Sequence, residues 1–158
     1  ADWMRLRQIS EVMTTQVVNA PLTASVLAVT QLMAKERVSC VVITGEMELG
    51  TDGQVGGWAG ESVELEIPLP SSYPPSLIPV GIITERDIVQ FRVLGLDFGE
   101  TQVQTVMSTP LLPIGPLDSL WAAHELMQQH HIRRLVVVGE VGQLVGIVTQ
   151  TSLLRSLD

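Results

Sequence analysis

The sequence predicts a mixed α/β (α+β) fold built from two copies of one small unit, and three observations support this prediction. The chain matches itself, because Val12-Met13-Thr14-Thr15 returns as Val106-Met107-Ser108-Thr109 and the register then holds as far as Gly45 and Gly139. Short runs of branched apolar residues alternate with amphipathic segments, as expected for strands and helices. The chain is 46% hydrophobic but only 4% aromatic, and its Val, Leu and Ile residues suit a core between short strands and helices.

Each copy is predicted to form a βαββα unit that opens with a helical turn and an extended segment containing proline. An amphipathic helix follows, because apolar residues recur at helical spacing from Val26 to Met33 and again from Leu120 to Met127. Ser25 is placed to cap the first of these helices, and Asp118 or Ser119 the second. The two helices therefore occupy equivalent places in the two copies.

Two strands and a closing helix complete each unit. The strands are predicted at Cys40–Thr44, Val80–Thr84, Leu135–Val138 and Leu144–Thr149. The closing helices are predicted from Arg86 towards Gly95 and from Ser152 to Leu157. Since neither unit can cover both faces of so small a sheet, we expect the copies to pack face to face about a pseudo-two-fold axis, around a shared cleft.

The repeats predict two domains, at residues 7–95 and 101–158, and the first contains an insertion at about residues 46–79. The insertion makes this turn about 29 residues longer than its equivalent in the second copy. It is acidic, rich in Gly and Pro, and without Lys or Arg, which indicates a solvated loop. The alternating stretch Val63–Ile67 is compatible with an edge strand. The alternative is a flap that binds a partner protein, with Trp58 and Tyr73 as candidate anchors.

Composition and charge argue against several classes of protein. A net charge of −8 and a pI near 4.7 argue against nucleic-acid binding, which needs clustered basic residues. The single Cys40 excludes an internal disulfide framework and a thiolate cluster for zinc, and it favours a cytoplasmic setting. No apolar run reaches the roughly 18 residues of a membrane helix, so no membrane association is expected. Because the sequence begins with Ala1 rather than Met, we expect it to be a segment of a longer protein.

The stretch Gly81–Asp87 carries the strongest functional signal. A Gly-led apolar run predicts a buried strand that ends at Thr84, and Asp87 lies in the first turn of the next helix. The carboxylate of an Asp at this place is held among free backbone N–H groups and can accept two hydrogen bonds, which suits the vicinal hydroxyls of a ribose. The alternative is that Thr84 and Asp87 simply cap the helix, because Ser/Thr-x-x-Asp/Glu is a common capping pattern.

Together these patterns resemble a cystathionine-β-synthase (CBS) domain pair, also called a Bateman module. The resemblance rests on the duplicated opening Val-Met-Ser/Thr-Thr, the helices ending in Leu-Met, the Val-rich strands, and the closing turns Gly81–Thr84 and Gly146–Thr149. It covers both units and leaves out the insertion and the termini. It implies tandem βαββα repeats that pack face to face with pseudo-two-fold symmetry.

The resemblance also implies a binding site for an adenosine nucleotide. In this arrangement Asp87 holds the ribose hydroxyls, and the hydroxyl of Thr84 assists near the sugar or phosphate. Adenine lies between apolar backbone segments, and two arginines face the phosphates. The alternative for the arginines is an exposed strand end that pairs with local carboxylates. The implied ligand-binding residues are Asp87, Thr84, Ile82, Pro110, Leu111, Leu112, Arg133 and Arg134.

The second cleft departs from this pattern. Ser152 stands where the ribose-binding Asp is expected, and Ser39 and Cys40 occupy the places that match Arg133 and Arg134. This cleft therefore lacks both the carboxylate and the positive charge. We expect it not to bind a nucleotide, so the sequence predicts one ligand per chain.

The resemblance implies a regulatory module that senses AMP, ADP, ATP or S-adenosylmethionine and relays binding to an attached effector or partner protein. It also implies a homodimer formed through the amphipathic helices. The stretch 146–154 is similar to CBS pairs at the front of bacterial signalling proteins, including histidine kinases and diguanylate cyclases. The alternative is a ligand-free dimerisation or docking module that uses helix faces or the acidic insertion.

Other chemistries find little support in the sequence. No phosphate-loop or nucleophile-elbow motif is present, so no enzyme activity and no required cofactor are expected. His124, His130 and His131 lack the spacing of a zinc motif, so no metal is expected, and His131 is instead a candidate phosphate contact beside the arginines. Cys40 opens an apolar strand without a neighbouring His, which predicts an inert buried thiol.

Overall fold

The computed structural model describes residues 2–46, 77–109 and 111–156, and they form two similar halves, each built around one sheet. The strands are β1 (Asn19–Pro21), β2 (Cys40–Glu46), β3 (Leu77–Thr84), β4 (Pro113–Ile114), β5 (Arg134–Val138) and β6 (Leu144–Thr149). The helices are α1 (Asp2–Leu6), α2 (Val26–Glu36), α3 (Glu85–Val93), α4 (Leu120–His130) and α5 (Gln150–Arg155), with 3-10 turns at Ile9–Glu11 and Val103–Thr105. This arrangement confirms the predicted α+β class. Pro110, Trp58, Tyr73 and Val63–Ile67 lie outside the described residues.

The first half contains β1, β2 and β3, and the second half contains β4, β5 and β6, with the same pairing in both. The first two strands of each sheet are parallel, and the second and third are antiparallel. Each antiparallel pair contains a bulge at the matching place, where the register skips Val80 in β3 and Val145 in β6. The shared irregularity shows that the two sequence repeats fold as two copies of one unit.

Strand β3 begins earlier than the sequence predicts. The proline and loop-like composition led us to place residues 77–79 in the insertion, but they belong to β3, and Glu46 pairs with Leu77 at the far end of β2. Pro79 is accommodated because β3 is an edge strand and the bulge lies directly beside it, where a missing ladder hydrogen bond costs little. The proline therefore does not mark the end of the loop.

Serine side chains cap the two amphipathic helices. Ser25 Oγ accepts a hydrogen bond from Ala28 N (3.0 Å), and Ser119 Oγ accepts one from Ala122 N (3.1 Å). Asp118 lies one residue too early to cap α4, and its carboxylate bonds instead to the backbone of the preceding turn. Of the two predicted caps for this helix, Ser119 is therefore the one that the structure uses.

Helices α2 and α4 also end alike, each with a basic residue in the left-handed conformation. Arg37 has φ 57° and His131 has φ 55°, although this region favours glycine. In both repeats the chain then turns directly into the central strand. The closing helices α3 and α5 begin at Glu85 and Gln150, slightly before the predicted starts, because Thr84 and Thr149 are the capping residues. Each described helix is too short or too polar to span a lipid bilayer.

The opening segment of the first repeat packs on the second half. Ile9 is fully buried in the core of that half, and Thr14 forms an antiparallel bridge with Ile147 of β6. Helix α1, which the sequence analysis does not predict, lies against α4, and the guanidinium of Arg5 stands 4.5 Å from the ring centroid of Trp121. This short helix has no periodic pattern of its own and is stabilised by tertiary packing.

The opening segment of the second repeat packs on the first half in the same way. Val103 is fully buried there, and Ser108 forms an antiparallel bridge with Ile82 of β3. Among the described residues, the first half therefore consists of residues 19–46 and 77–108, and the second half combines residues 2–14 with residues 113–156. The two sequence repeats exchange their opening segments when they fold.

Two equivalent glycines permit this exchange. A Cβ on Gly146 would lie 2.9 Å from the carbonyl oxygen of Thr14 and 2.9 Å from Sδ of Met13. A Cβ on Gly81 would lie 2.7 Å from Cγ of Met107. The opening segments can approach the strands closely because no side chain occupies these places.

An apolar layer joins the two sheets. Val42 of β2 and Val136 of β5 are buried in it, together with Ile147 of β6. Ile82 and Leu111 are half-buried against the same layer. This packing brings the end of β3 close to the start of β5, and the candidate site lies between them.

Candidate functional site

A cavity of about 640 Å³ lies where the end of β3 meets the start of β5, and its walls come from both halves. Pro110 is the one predicted site residue that lies outside the described part of the chain. The other seven predicted residues all line this cavity. They are Ile82, Thr84, Asp87, Leu111, Leu112, Arg133 and Arg134. The assignment of these side chains to a ligand stays a prediction.

The turn between β3 and α3 holds Thr84 and Asp87 in fixed positions. Thr84 Oγ1 accepts a hydrogen bond from Asp87 N (3.2 Å), and Asp87 Oδ2 accepts one from Thr84 N (2.9 Å). This reciprocal capping box fixes the carboxylate at the cavity wall. Within the described residues, Oδ1 of Asp87 accepts no hydrogen bond, so one carboxylate oxygen remains available to a ligand.

Arginines of the second half form the opposite wall. Arg133 is exposed, while Arg134, the first residue of β5, is half-buried. Among the described residues, the buried Nε of Arg134 has no hydrogen-bond partner, although buried donors are normally satisfied. Neither arginine forms an ion pair with any residue of 2–46, 77–109 or 111–156. Within these ranges the alternative, in which the arginines pair with local carboxylates at an exposed strand end, is therefore not observed.

The apolar part of the wall is held in place by a short backbone ladder. Ser108 N donates to Ile82 O (3.0 Å), and Ile82 N donates to Ser108 O (3.3 Å). This pairing fixes the start of the segment that leads to Leu111 and Leu112, both half-buried at the cavity. A flat apolar group can therefore be enclosed between β3 and this segment.

The cavity also contains side chains that the sequence analysis did not assign to it. Arg86 and Glu85 lie in the first turn of α3, and Ser39 lies just before β2. Arg86 directly precedes Asp87, and this adjacency is the signal that was missed. Ser39 was assigned to the second cleft, but its carbonyl oxygen accepts a hydrogen bond from Glu85 N (2.9 Å), which holds it beside the start of α3. Ser39 therefore lines this cavity as well, and its assignment to the second cleft stays a prediction.

The equivalent place in the second half has a different chemistry. Thr149 caps α5 by accepting a hydrogen bond from Ser152 N (3.1 Å), and the hydroxyls of Thr149 and Ser152 lie 3.0 Å apart. Cys40 matches Arg134 in the repeat. Burial raises the pKa of the Cys40 thiol, and the nearby Arg134 guanidinium only partly opposes this effect. A neutral thiol is therefore expected there, as the sequence indicates.

Histidines do not form a metal centre in the part of the chain that the structure describes, where no cluster of three His, Cys, Asp or Glu side chains occurs. His131 lines the cavity, at the left-handed end of α4. His124 does not line it, and its ring packs beside Trp121 with 5.3 Å between centroids. His131 lines the cavity together with the arginines, and its role as a phosphate contact stays a prediction.

Comparison with known protein families identifies the repeats. The CBS domain profile matches residues 9–50 and 103–158. These two segments fall within the two repeats that the sequence analysis recognised, and they include the opening segments that are exchanged in the fold.

Curated proteins are also similar to this chain. The CBS domain-containing protein YhcV of Bacillus subtilis is 48% identical over 69 residues, which is 43% of this chain and 48% of YhcV. The uncharacterized protein MJ1426 of Methanocaldococcus jannaschii is 31% identical over 125 residues, 73% of each chain. The chain spans less than half of YhcV and of two further relatives.

A similar solved structure is the CBS domain protein PAE2072 from Pyrobaculum aerophilum, which was solved complexed with AMP. Its TM-score is 0.69 at 25% sequence identity, and the match covers 96% of this chain and 98% of that chain. The two-sheet arrangement described above is therefore the arrangement of a known fold.

Proposed function

The chain belongs to the CBS domain family, and from this premise we propose that it is a regulatory module that binds an adenosine nucleotide in the cavity between its two halves. Binding changes the arrangement of the halves, and this change is relayed to an attached effector or to a partner protein. In this proposal the chain is a sensor and not an enzyme.

The observation that carries this proposal is the chemical complementarity of the cavity walls. One wall presents a rigid carboxylate, Asp87, with an oxygen that is free to accept hydrogen bonds within the described structure. The opposite wall presents Arg134, whose buried Nε has no acceptor. Apolar side chains such as Ile82 lie between them. A nucleotide offers hydroxyl donors, a flat base and an anionic tail, which match these three features.

We assign each part of the ligand to a wall of the cavity. The ribose hydroxyls donate to Asp87, as a carboxylate oxygen has two lone pairs for such bonds. The adenine lies between Ile82 and the segment 110–112, and the phosphates approach Arg133 and Arg134. PAE2072, complexed with AMP and similar over 96% of this chain, supports this class of ligand. S-adenosylmethionine shares the adenosine group and belongs among the candidates to be tested.

The relay follows from the position of the cavity. Its walls belong to different halves, so a ligand that contacts both walls favours one relative position of the halves over others. A ligand shifts such an equilibrium only by as much as its affinity differs between the two states. The attached effector or partner senses the resulting change.

Isothermal titration with AMP, ADP, ATP and S-adenosylmethionine tests the proposal. We expect saturable binding near one ligand per chain. Replacing Asp87 by Ala removes two charge-assisted hydrogen bonds to the ribose, each contributing about 1.5–3 kcal/mol. The affinity of Asp87→Ala is therefore expected to fall by about 100-fold or more.

The control is Ser152→Ala, at the equivalent place in the second half, which is expected to leave nucleotide binding unchanged. A ligand control separates the ribose contact from the capping role of Asp87. The wild-type chain is expected to bind a 2′,3′-dideoxy nucleotide weakly. Asp87→Ala is expected to bind the ribonucleotide and the dideoxy nucleotide with this same low affinity. Equal binding of the ribo and dideoxy forms by wild type contradicts the role of Asp87, and no heat with any of the four ligands contradicts the function.

One surface favours a second candidate function, dimerisation or docking without a ligand. Val89 and Val93 lie one turn apart on α3 and are 64% and 80% exposed, and Leu94 directly after the helix is 71% exposed. Grouped apolar side chains with this exposure indicate a contact with another chain. A second copy of this chain is the occupant that the family resemblance implies, so we propose a homodimer that uses this face of α3.

Sedimentation velocity tests the dimer. The wild-type chain is expected to sediment as a dimer and Val93→Glu as a monomer, because a charge at the centre of an apolar contact is strongly disfavoured. The exposed polar neighbour variant Gln90→Glu serves as the control for the added charge. A wild-type chain that sediments as a monomer at all concentrations refutes this use of α3.

A further inference from the structure

A third guanidinium enters the cavity from the first half. Arg86 lies in the first turn of α3, directly before Asp87, and lines the cavity. Arg133 and Arg134 line it from the second half. Positive charge therefore approaches the same space from both sides.

These positive charges exceed the negative charges of the cavity. The lining carboxylates are those of Glu85 and Asp87, and one oxygen of Asp87 is already engaged by the backbone of Thr84. The chain as a whole has a net charge of −8, so the charge of this cavity is opposite in sign to the net charge of the protein.

The three guanidinium groups lack anionic partners within the described ranges. None of Arg86, Arg133 and Arg134 forms an ion pair with a residue of 2–46, 77–109 or 111–156. The Nε of Arg134 is buried without an acceptor. An unsatisfied buried donor destabilises a protein, and an anion that accepts from it removes this penalty.

We propose that the cavity selects nucleotides by the length of their phosphate chain, and that Arg86 determines this preference. Arg133 and Arg134 hold the phosphate nearest the ribose from the second half, and Arg86 contacts the terminal phosphates from the first half. The forked guanidinium matches phosphate oxygens and suits such a contact. ADP and ATP therefore bind more tightly than AMP. This inference rests on the proposed function.

The same charges disfavour S-adenosylmethionine. Its sulfonium is positive at the place where a nucleotide carries phosphate, so the arginines that attract a polyphosphate repel it. A polyphosphate that contacts both halves also holds them together, which AMP cannot do to the same extent. The relay is thus expected to respond to the phosphorylation state of the ligand.

Titration of wild type with adenosine, AMP, ADP, ATP and S-adenosylmethionine in magnesium-free buffer tests this inference. We expect ATP to bind at least about tenfold more tightly than AMP, which corresponds to one added charge-assisted contact. Arg86→Gln is expected to lower ATP affinity to that of AMP and to leave adenosine binding unchanged. Arg86→Lys keeps the charge and is expected to restore part of the preference.

The matched control is Arg92→Gln, in the last turn of the same helix and outside the cavity lining, which is expected to bind every ligand as wild type does. Thermal unfolding of each variant checks that it is folded. Equal affinity of wild type for AMP and ATP, or an equal loss of adenosine and ATP binding in Arg86→Gln, overturns this inference and leaves the proposed function standing. Failure of wild type to bind any adenosine compound overturns both.

Discussion

The two closing turns of this chain share one backbone design and differ in the three side chains that follow the capping Thr. Thr84 and Thr149 each end a strand and cap the following helix through the backbone N–H three residues later. The first turn then uses Asp87, and the second uses Ser152. Since α5 begins correctly with a serine at this place, capping alone does not require a carboxylate. The difference agrees with the ligand-binding role that we propose for Asp87.

The basic side of the cavity gives the same contrast. Strands β2 and β5 form equivalent ladders, but β5 is entered through Arg133 and Arg134, and β2 through Ser39 and Cys40. The strand evidently needs no positive charge to form. Two arginines without ion-pair partners in the described ranges agree with the phosphate-binding role that we propose for them.

The largest expected effect tests whether the halves depend equally on the exchanged segments. Ile9 and Val103 occupy matching places, and both are fully buried in the half opposite to their own repeat. We expect Ile9→Ala to lower the free energy of unfolding by about 3 kcal/mol and Val103→Ala by about 2 kcal/mol, since fewer methyl groups are lost. Urea unfolding monitored by circular dichroism measures both.

The control for this pair is Leu6→Ala, because Leu6 is 81% exposed and its removal creates no cavity. A small effect of Ile9→Ala, similar to that of Leu6→Ala, would show that the opening segment does not pack on the second half in solution. The exchange of opening segments between the two halves would then be contradicted.

A smaller loss of stability is expected at the two equivalent glycines, Gly81 and Gly146, and it is expected to differ between them. In Gly146→Ala the new methyl group meets the carbonyl oxygen of Thr14, which is fixed by its hydrogen bond from Ile147 N (2.9 Å). In Gly81→Ala it meets the flexible side chain of Met107 instead. We expect a loss of about 1–3 kcal/mol for Gly146→Ala and a smaller loss for Gly81→Ala, because a Met side chain can move aside.

Urea midpoints of the two alanine variants against wild type decide this comparison. If Gly81→Ala is the more destabilised variant, the backbone contact at Thr14 is not the tighter restraint. Replacing Met107 by Ala in the Gly81→Ala background is expected to recover part of the lost stability. No equivalent second substitution exists for Gly146→Ala, because the contact there is with the backbone oxygen of Thr14.

The smallest effect concerns the second closing turn. Ser152→Asp recreates the arrangement of Thr84 and Asp87, and a carboxylate in the first turn of a helix is stabilising by about 0.3–1 kcal/mol. A slightly higher melting temperature is therefore expected, without a second bound nucleotide, since Ser39 and Cys40 supply no cations. Differential scanning calorimetry and titration measure the two outcomes. A second equivalent of bound nucleotide would show that the carboxylate alone is sufficient.

Local patterns allowed much of this fold to be predicted. The helical spacing of apolar residues predicted α2 and α4, and the branched runs predicted the four central strands. The resemblance to CBS pairs then placed Asp87 and Arg133 at a common cleft, and the structure does bring them to one cavity. These inferences succeeded because each depends on residues that are neighbours in sequence, or on the symmetry of the repeat.

The remaining features depend on contacts between distant residues. The exchange of opening segments cannot be read from the repeat, because either packing partner would give the same sequence match. Helix α1 depends on its contact with α4, and the inclusion of Pro79 in β3 depends on an edge and a bulge. Ser39 and Arg86 were missed at the cavity for the same reason, since their positions follow from tertiary packing.

The exchange of segments has a consequence for synthesis of the protein. The first half is continuous, and it can close once residue 108 has left the ribosome. The second half needs residues 2–14 and the last strand together, so Ile9 stays unburied until the last strand has been synthesised. At about 5–20 residues per second, synthesis from Ile9 to Thr149 at the end of the last strand takes about 7–28 s. During that time the nascent chain exposes an apolar segment that its core does not yet cover.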